Sequence, residues 1–184
     1  MQPNLIYTAS GLDRQANFRT DAEWLSQQEN HNEMRVVPVW HDKNLIQGME
    51  VNPVPVMPSG KTGRRLLRVA ETVLFLGLNE GTPLFGVDLS NISEEDLTIL
   101  LGPAPKFADL RTTGWLLPRD QAAILAYARG LAYWHRVNGY CGHCGNPTKI
   151  TNGGHVRKCR SDTCEREVYP RTDPAVIMLV IDDG

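Results

Sequence analysis

The chain has 184 residues, 41% of them hydrophobic, with 19 Lys and Arg against 21 Asp and Glu and a formal charge of −2. That length holds one full domain plus a small module, with a hydrophobic core accommodated before residue 138. The near-balanced charge gives no global electrostatic case for nucleic acid, and neither a secretory signal nor a run of transmembrane length follows Met1-Gln2-Pro3-Asn4, so a cytoplasmic protein away from membranes is expected.

Asp21 ahead of Ala22-Glu23-Trp24-Leu25 predicts a short helix with an acidic cap. Residues 34–40 and 45–47 read as β segments, with Pro38 marking an edge or a strand end. Residues 51–63 hold Pro53, Pro55, Pro58, Gly60 and Gly63 and read as a loop unable to sustain a ladder. Residues 71–77 and 83–89 bracket Asn79-Glu80-Gly81, which predicts a hairpin. Ser93-Glu94-Glu95-Asp96 before Leu97 has the form of an acidic capping box and predicts a helix to about Leu101. The longest helix is predicted over 118–137, where Ile124, Ala128, Leu131 and Trp134/His135 recur at helical spacing between Pro118 and Gly139. Such a helix is an amphipathic core element, and His135 in it reads as a packing or capping residue. Residues 1–138 are thus expected to form a β-rich domain with helices at its margins.

All four cysteines lie in the pattern Cys141-x2-Cys144-x14-Cys159-x4-Cys164. Two such knuckles can bring four thiolates to the corners of a tetrahedron about 2.3 Å from a zinc ion. Gly142 and Gly145 permit the tight turn of the first knuckle, and Cys159-Arg160-Ser161-Asp162-Thr163-Cys164 forms a looser second one. Two disulfides would need an oxidising compartment, and a redox pair at Cys141/Cys144 would need a thioredoxin-like strand-to-helix context that is missing. Four sulfurs leave no position for water, so the zinc is read as structural, within a rubredoxin-like ribbon over residues 139–168. Beyond it, residues 175–181 form a continuous apolar run typical of a strand buried on both faces, and Asp182-Asp183-Gly184 supplies a turn signal. A central strand with no successor is incomplete, so a chain cut just inside a further domain, 169–184, is expected. The fold class expected for the whole is α+β.

Several residues together carry a resemblance. Ala126, Leu131, Trp134-His135, Tyr140-Cys141-Gly142-x-Cys144-Gly145, Thr148, Gly153-Gly154, Cys159, Cys164 and Tyr169-Pro170-Arg171-x-Asp173-Pro174-Ala175-Val176-Ile177 resemble the junction of zinc ribbon and catalytic domain in Nudix NADH pyrophosphatases. The likeness is close over 123–181 and thinner upstream, through Leu12-Asp13-Arg14, Phe75-Leu76-Gly77 and Asp109-Leu110-Arg111. It implies a homodimeric hydrolase that splits the diphosphate of NADH or NAD into nicotinamide mononucleotide and AMP with Mg²⁺ or Mn²⁺, some members also removing NAD caps from RNA. It further implies zinc at Cys141, Cys144, Cys159 and Cys164, and at Tyr169 either a ring that stacks on a nucleotide base or a tyrosine packed at the junction. The family's chemistry belongs to a Nudix box, G-x5-E-x7-R-E-x2-E-E-x-G, whose glutamates hold the divalent cations. No such box occurs in residues 1–184, so the chain alone is expected to be inactive. The alternatives from other classes are a stand-alone nucleic-acid-binding ribbon and a dimerisation scaffold.

Overall fold

The computed structural model describes residues 6–8, 11–48, 52–171 and 176–181. Helix α1 (Ala22–Glu29) is followed by β1 (Arg35–Trp40), β2 (Lys43–Gln47), β3 (Val54–Pro55), α2 (Gly60–Val69), β4 (Thr72–Asn79) and β5 (Thr82–Asp88). Then come α3 (Glu94–Leu101), β6 (Lys106–Ala108), the single turn α4 (Leu110–Thr113), α5 (Arg119–Val137) and the short strands β7 (Thr148–Thr151), β8 (Val156–Cys159) and β9 (Glu167–Val168). The first six strands form one mixed sheet in the order β3-β2-β1-β5-β4, with β6 on β2. Its centre is the parallel pair β1/β5, and its other ladders are antiparallel. Strands β7, β8 and β9 make a separate antiparallel sheet.

Side chains alternate across the large sheet, except at a β-bulge between Phe75 and Gly77, although the sequence runs are almost wholly apolar. Val37, Val39, Ile46, Leu74, Leu76 and Leu84 face α5, meeting Ile124, Ala128 and Leu131. Met34, Val36, Phe75, Phe85 and Val87 point the other way, under Leu66 of α2 and Leu97 of α3. The helices therefore cover both faces rather than standing at the margins of a β-rich domain. Runs buried on both faces lose the polar–apolar alternation that would have revealed this layering.

Asp21 caps α1 by accepting the Trp24 N–H at 2.9 Å, and Ser93 caps α3 by accepting that of Asp96 at 3.1 Å, both as the sequence predicts. Glu80 and Gly81, both at positive φ, close the expected hairpin between β4 and β5. His41 and Asp42, also at positive φ, make a second two-residue turn of the I′ kind between β1 and β2. The expected loop over 51–63 is a correction: Val54–Pro55 pairs with β2, and α2 begins at Gly60. Gly63 is not a helix breaker there but a contact point, since a Cβ at that position would lie 2.9 Å from the Pro58 carbonyl oxygen and 3.5 Å from Val36 Cγ2. Its absence lets α2 approach β1 closely.

A second correction concerns the apolar run expected as a buried strand over 175–181. Ala175 lies outside the described residues, and Val176–Ile181 joins no ladder and is exposed, Ile177 completely. Among the described residues no strand lies beside this segment to accept its backbone groups. Likewise no described helix is long and apolar enough to cross a membrane.

Candidate metal centre and its docking on the helix

The first knuckle folds because backbone bonds close it: Cys141 N–H donates to the Asn146 carbonyl at 2.8 Å and Gly145 N–H to that of Cys141 at 2.9 Å. In the second, the N–H groups of Cys164 and Glu165 both donate to the Ser161 carbonyl, at 3.1 and 3.0 Å. Each knuckle turns back at a positive-φ residue directly after its second cysteine, Gly145 at 73° and Glu165 at 46°. Cys159 enters from β8 and is fixed by its N–H donating to the Arg166 carbonyl at 2.8 Å.

The result is one cluster, with the sulfurs of Cys141, Cys144, Cys159 and Cys164 all within 4.8 Å of one another. The separations Cys141–Cys164 of 3.8 Å and Cys144–Cys159 of 3.5 Å match the edge of a tetrahedron with 2.3 Å metal–sulfur bonds, about 3.8 Å. The donor set therefore fits a single tetrahedral ion of the zinc kind. Local donors already favour the anionic form at one sulfur: Cys144, approached by the side-chain and backbone N–H groups of Asn146, is lowered to about 6. Cys159, although it accepts the Ser161 N–H, is pushed to about 12 by burial and its sulfur neighbours. Thiols so close together resist becoming thiolates together unless a cation neutralises them.

The ribbon is anchored to the large domain through two neutral histidines. His135 Nε2 lies 2.8 Å from the Gly154 carbonyl oxygen. A carbonyl only accepts, so Nε2 carries the proton and Nδ1 receives the Arg157 guanidinium at 3.0 Å. Arg157 also donates to Thr148 Oγ1 at 2.6 Å, and Thr148 in turn to the Asn138 carbonyl at the end of α5 at 2.8 Å. His155 has the opposite tautomer: Nδ1 faces the Asn152 carbonyl at 3.3 Å, and Nε2 accepts the Tyr127 hydroxyl at 2.5 Å. Gly154 seals the contact, because a Cβ on it would come within 2.6 Å of Leu74 Cδ2.

Burial lowers His135 to about 4, and burial together with the Arg19 and Arg14 charges lowers His155 to about 3. Between those values and the ordinary 6.5, the unfolded chain binds protons that the folded chain refuses. Stability supplied by this latch is thus complete above about pH 6.5 and falls on acidification, by up to about 1.4 kcal/mol per pH unit for each histidine. His135→Gln keeps a donor for Gly154 but cannot titrate. Urea midpoints of that variant, followed from neutrality to about pH 4.5 in saturating zinc, are expected to fall less steeply than those of the wild type, and parallel profiles would show that folding does not hold His135 neutral.

With this geometry in place, the comparisons with known proteins become specific. The family model of the NADH pyrophosphatase-like rudimentary NUDIX domain matches residues 33–134, more than half of the chain and the span from β1 almost to the end of α5. The chain belongs to the Nudix NADH pyrophosphatase family. Among its relatives, Nudix hydrolase 19, chloroplastic, of Arabidopsis thaliana is 38% identical over 120 residues, which are 61% of this chain and 27% of that protein. The NAD-capped RNA hydrolase NudC of Chromobacterium violaceum is 30% identical over 135 residues, 72% of this chain and 44% of that one. The NAD-capped RNA hydrolase NUDT12 of Homo sapiens is 41% identical over 71 residues, 35% of this chain and 15% of that one. The chain spans less than half the length of each of these family members.

Tyr169 does not join the cysteine cluster. It follows β9, is half exposed, and its hydroxyl donates to the Glu167 carboxylate two residues before it. Sequence reading of the family pattern missed the latch formed by Tyr127, Thr148, His155 and Arg157 and gave His135 only a general packing role. The signal available was His135 on the buried face of α5, together with the Gly153-Gly154 pair, which the turn between β7 and β8 holds at positive φ.

Proposed function

We propose that this chain is the rudimentary NUDIX domain and zinc ribbon of an NAD(H) diphosphatase, residues 1–138 and 139–168, leading at 169–184 into a catalytic Nudix domain. The family match over residues 33–134 carries this reading. The reaction is hydrolysis of the diphosphate of NADH or NAD to nicotinamide mononucleotide and AMP, with Mg²⁺ or Mn²⁺ held by the carboxylates of a Nudix box that residues 1–184 do not contain. Relatives named as NAD-capped RNA hydrolases support capped RNA as a further substrate.

In this reading Cys141, Cys144, Cys159 and Cys164 hold one structural zinc, and their four sulfurs leave no open coordination position. Tyr169, exposed beside the ribbon, offers a π face for a nucleotide base. The assembly is a homodimer, and the compartment is the cytoplasm, where thiols remain reduced and available to metal. The test is turnover. Residues 1–184, purified free of host phosphatases, are expected to leave NADH intact with Mg²⁺ or Mn²⁺, while a longer protein that includes a Nudix box hydrolyses it. Hydrolysis by residues 1–184 that a substitution within them abolishes would place an active site where this reading has none.

A further inference from the structure

Helix α2 is charged in a way its own stability does not explain. Lys61, Arg64, Arg65 and Arg68 lie on its outer side, opposite the buried Gly63 and Leu66, and at 100° per residue they fall within an arc of about 100°. Lys61, Arg65 and Arg68 are exposed and Arg64 is half-buried. No Asp or Glu occurs from Val51 to Ala70, and the first turn of α2 contains no acid. The cations stand three or four residues apart in the pairs 61/64, 61/65, 64/68 and 65/68, each of which repels on a helix surface. Lys61 additionally sits at the positive end of the helix dipole.

Nothing within the described structure relieves this repulsion. Its ion pairs join Arg111 to Asp109, Arg136 to Asp42 and Asp88, and Lys158 to Glu165, so none involves α2. Asp96 shares a shallow groove with Arg65, but it forms no ion pair with it and its carboxylate accepts the Ser93 hydroxyl. The net charge of −2 conceals this local concentration of four cations.

We propose that this face of α2 holds the phosphodiester backbone of RNA. The inference rests on the reading of the chain as part of a hydrolase acting on NAD-linked substrates, since a capped RNA brings a polyanion to the protein beyond the dinucleotide itself. Charge complementarity selects the occupant. Cations spread over about 10 Å of helix match a run of phosphates rather than one diphosphate.

The experiment measures fluorescence anisotropy of a 3′-labelled, uncapped RNA of about 20 nucleotides against the zinc-loaded chain over a range of KCl concentrations. Binding is expected to weaken with salt, with a log–log slope near −3 for four phosphate contacts. The triple variant Lys61→Glu, Arg65→Glu, Arg68→Glu is expected to bind at least about tenfold more weakly, with a slope shallower by about 2. Its neutral counterpart, with Gln at the same three positions, controls for folding and should keep the wild-type urea midpoint or exceed it. Lys43→Glu with Lys106→Glu, elsewhere on the surface, should leave affinity unchanged. Absence of RNA binding, equal loss in both charge-reversed variants, or binding to phosphatidylserine vesicles in place of RNA would overturn the proposal. Because the probe carries no NAD, failure of the diphosphatase reading shows separately, as a longer Nudix-box protein that binds this RNA yet leaves NADH intact.

Discussion

Cys159→Ser is expected to abolish stoichiometric zinc binding and to unfold residues 140–168 while the large sheet persists. Cys159 ends β8, the central strand of the ribbon, and its sulfur lies against both Cys144 and the Ser161 N–H. The ribbon has almost no core of its own: within 140–168 the buried hydrophobic side chains are Cys141, Val156 and Cys159. Strands of four, four and two residues cannot offset the entropy of ordering that segment without the metal. Structural zinc contributes on the order of 10–16 kcal/mol in comparable modules, far more than the latch to α5 can supply. The large domain keeps two apolar clusters that contain no ribbon residue. Metal analysis should find one equivalent in the wild type and almost none in the variant. Hydrogen exchange should show amides of Val156–Cys159 losing protection and those of Phe85–Val87 keeping it. Zinc-free but fully protected β8, or loss of protection in both segments, would show that the metal does not divide the molecule in this way.

What the sequence revealed and what it concealed follow from the range of the interactions. The caps at Asp21 and Ser93, the Glu80-Gly81 turn and the α5 periodicity are all set by residues within one or two turns of each other, and these were legible. Cysteine spacing was legible for a related reason, since a knuckle is a local turn. Helix α2 was hidden because Gly63 suggests a loop until Val36 and Pro58 are seen to occupy the space a Cβ would need there. The layering of helices on both faces was hidden because continuous apolar strands carry no sign of which side is covered. The latch was hidden because it joins Tyr127 to His155 and His135 to Gly154 across separations that no local pattern records. The basic face of α2 was obscured by acids elsewhere in the chain, most visibly the three in the first turn of α3.

Arg136 shows how much a pairing of that long-range kind can hold, and Arg136→Ala is expected to destabilise the large domain by about 3–5 kcal/mol. Its guanidinium leaves the last turn of α5 and reaches Asp88 Oδ2 at 2.6 Å and the Asp42 carboxylate. The two acids are not equivalent. Asp88 is 1% exposed and Asp42 38% exposed, so removing the cation leaves Asp88 as a buried carboxylate, while Asp42 can turn to water. Ser90 donates its N–H and hydroxyl to Asp88 at 3.0 and 2.5 Å, which orients the carboxylate without neutralising it. Asp42→Asn, which keeps a residue suited to its positive φ, should therefore cost no more than about 1 kcal/mol, as exposed pairs do. Arg136→Met, which retains an apolar stem, should still be strongly destabilised. Adding Asp88→Asn to Arg136→Met should recover part of the loss, because the uncompensated charge is gone. Urea titrations in saturating zinc give the four corners of this cycle at constant slope. If Arg136→Met and the double variant had the same midpoint, the penalty would lie in lost packing of the arginine stem rather than in the stranded charge of Asp88.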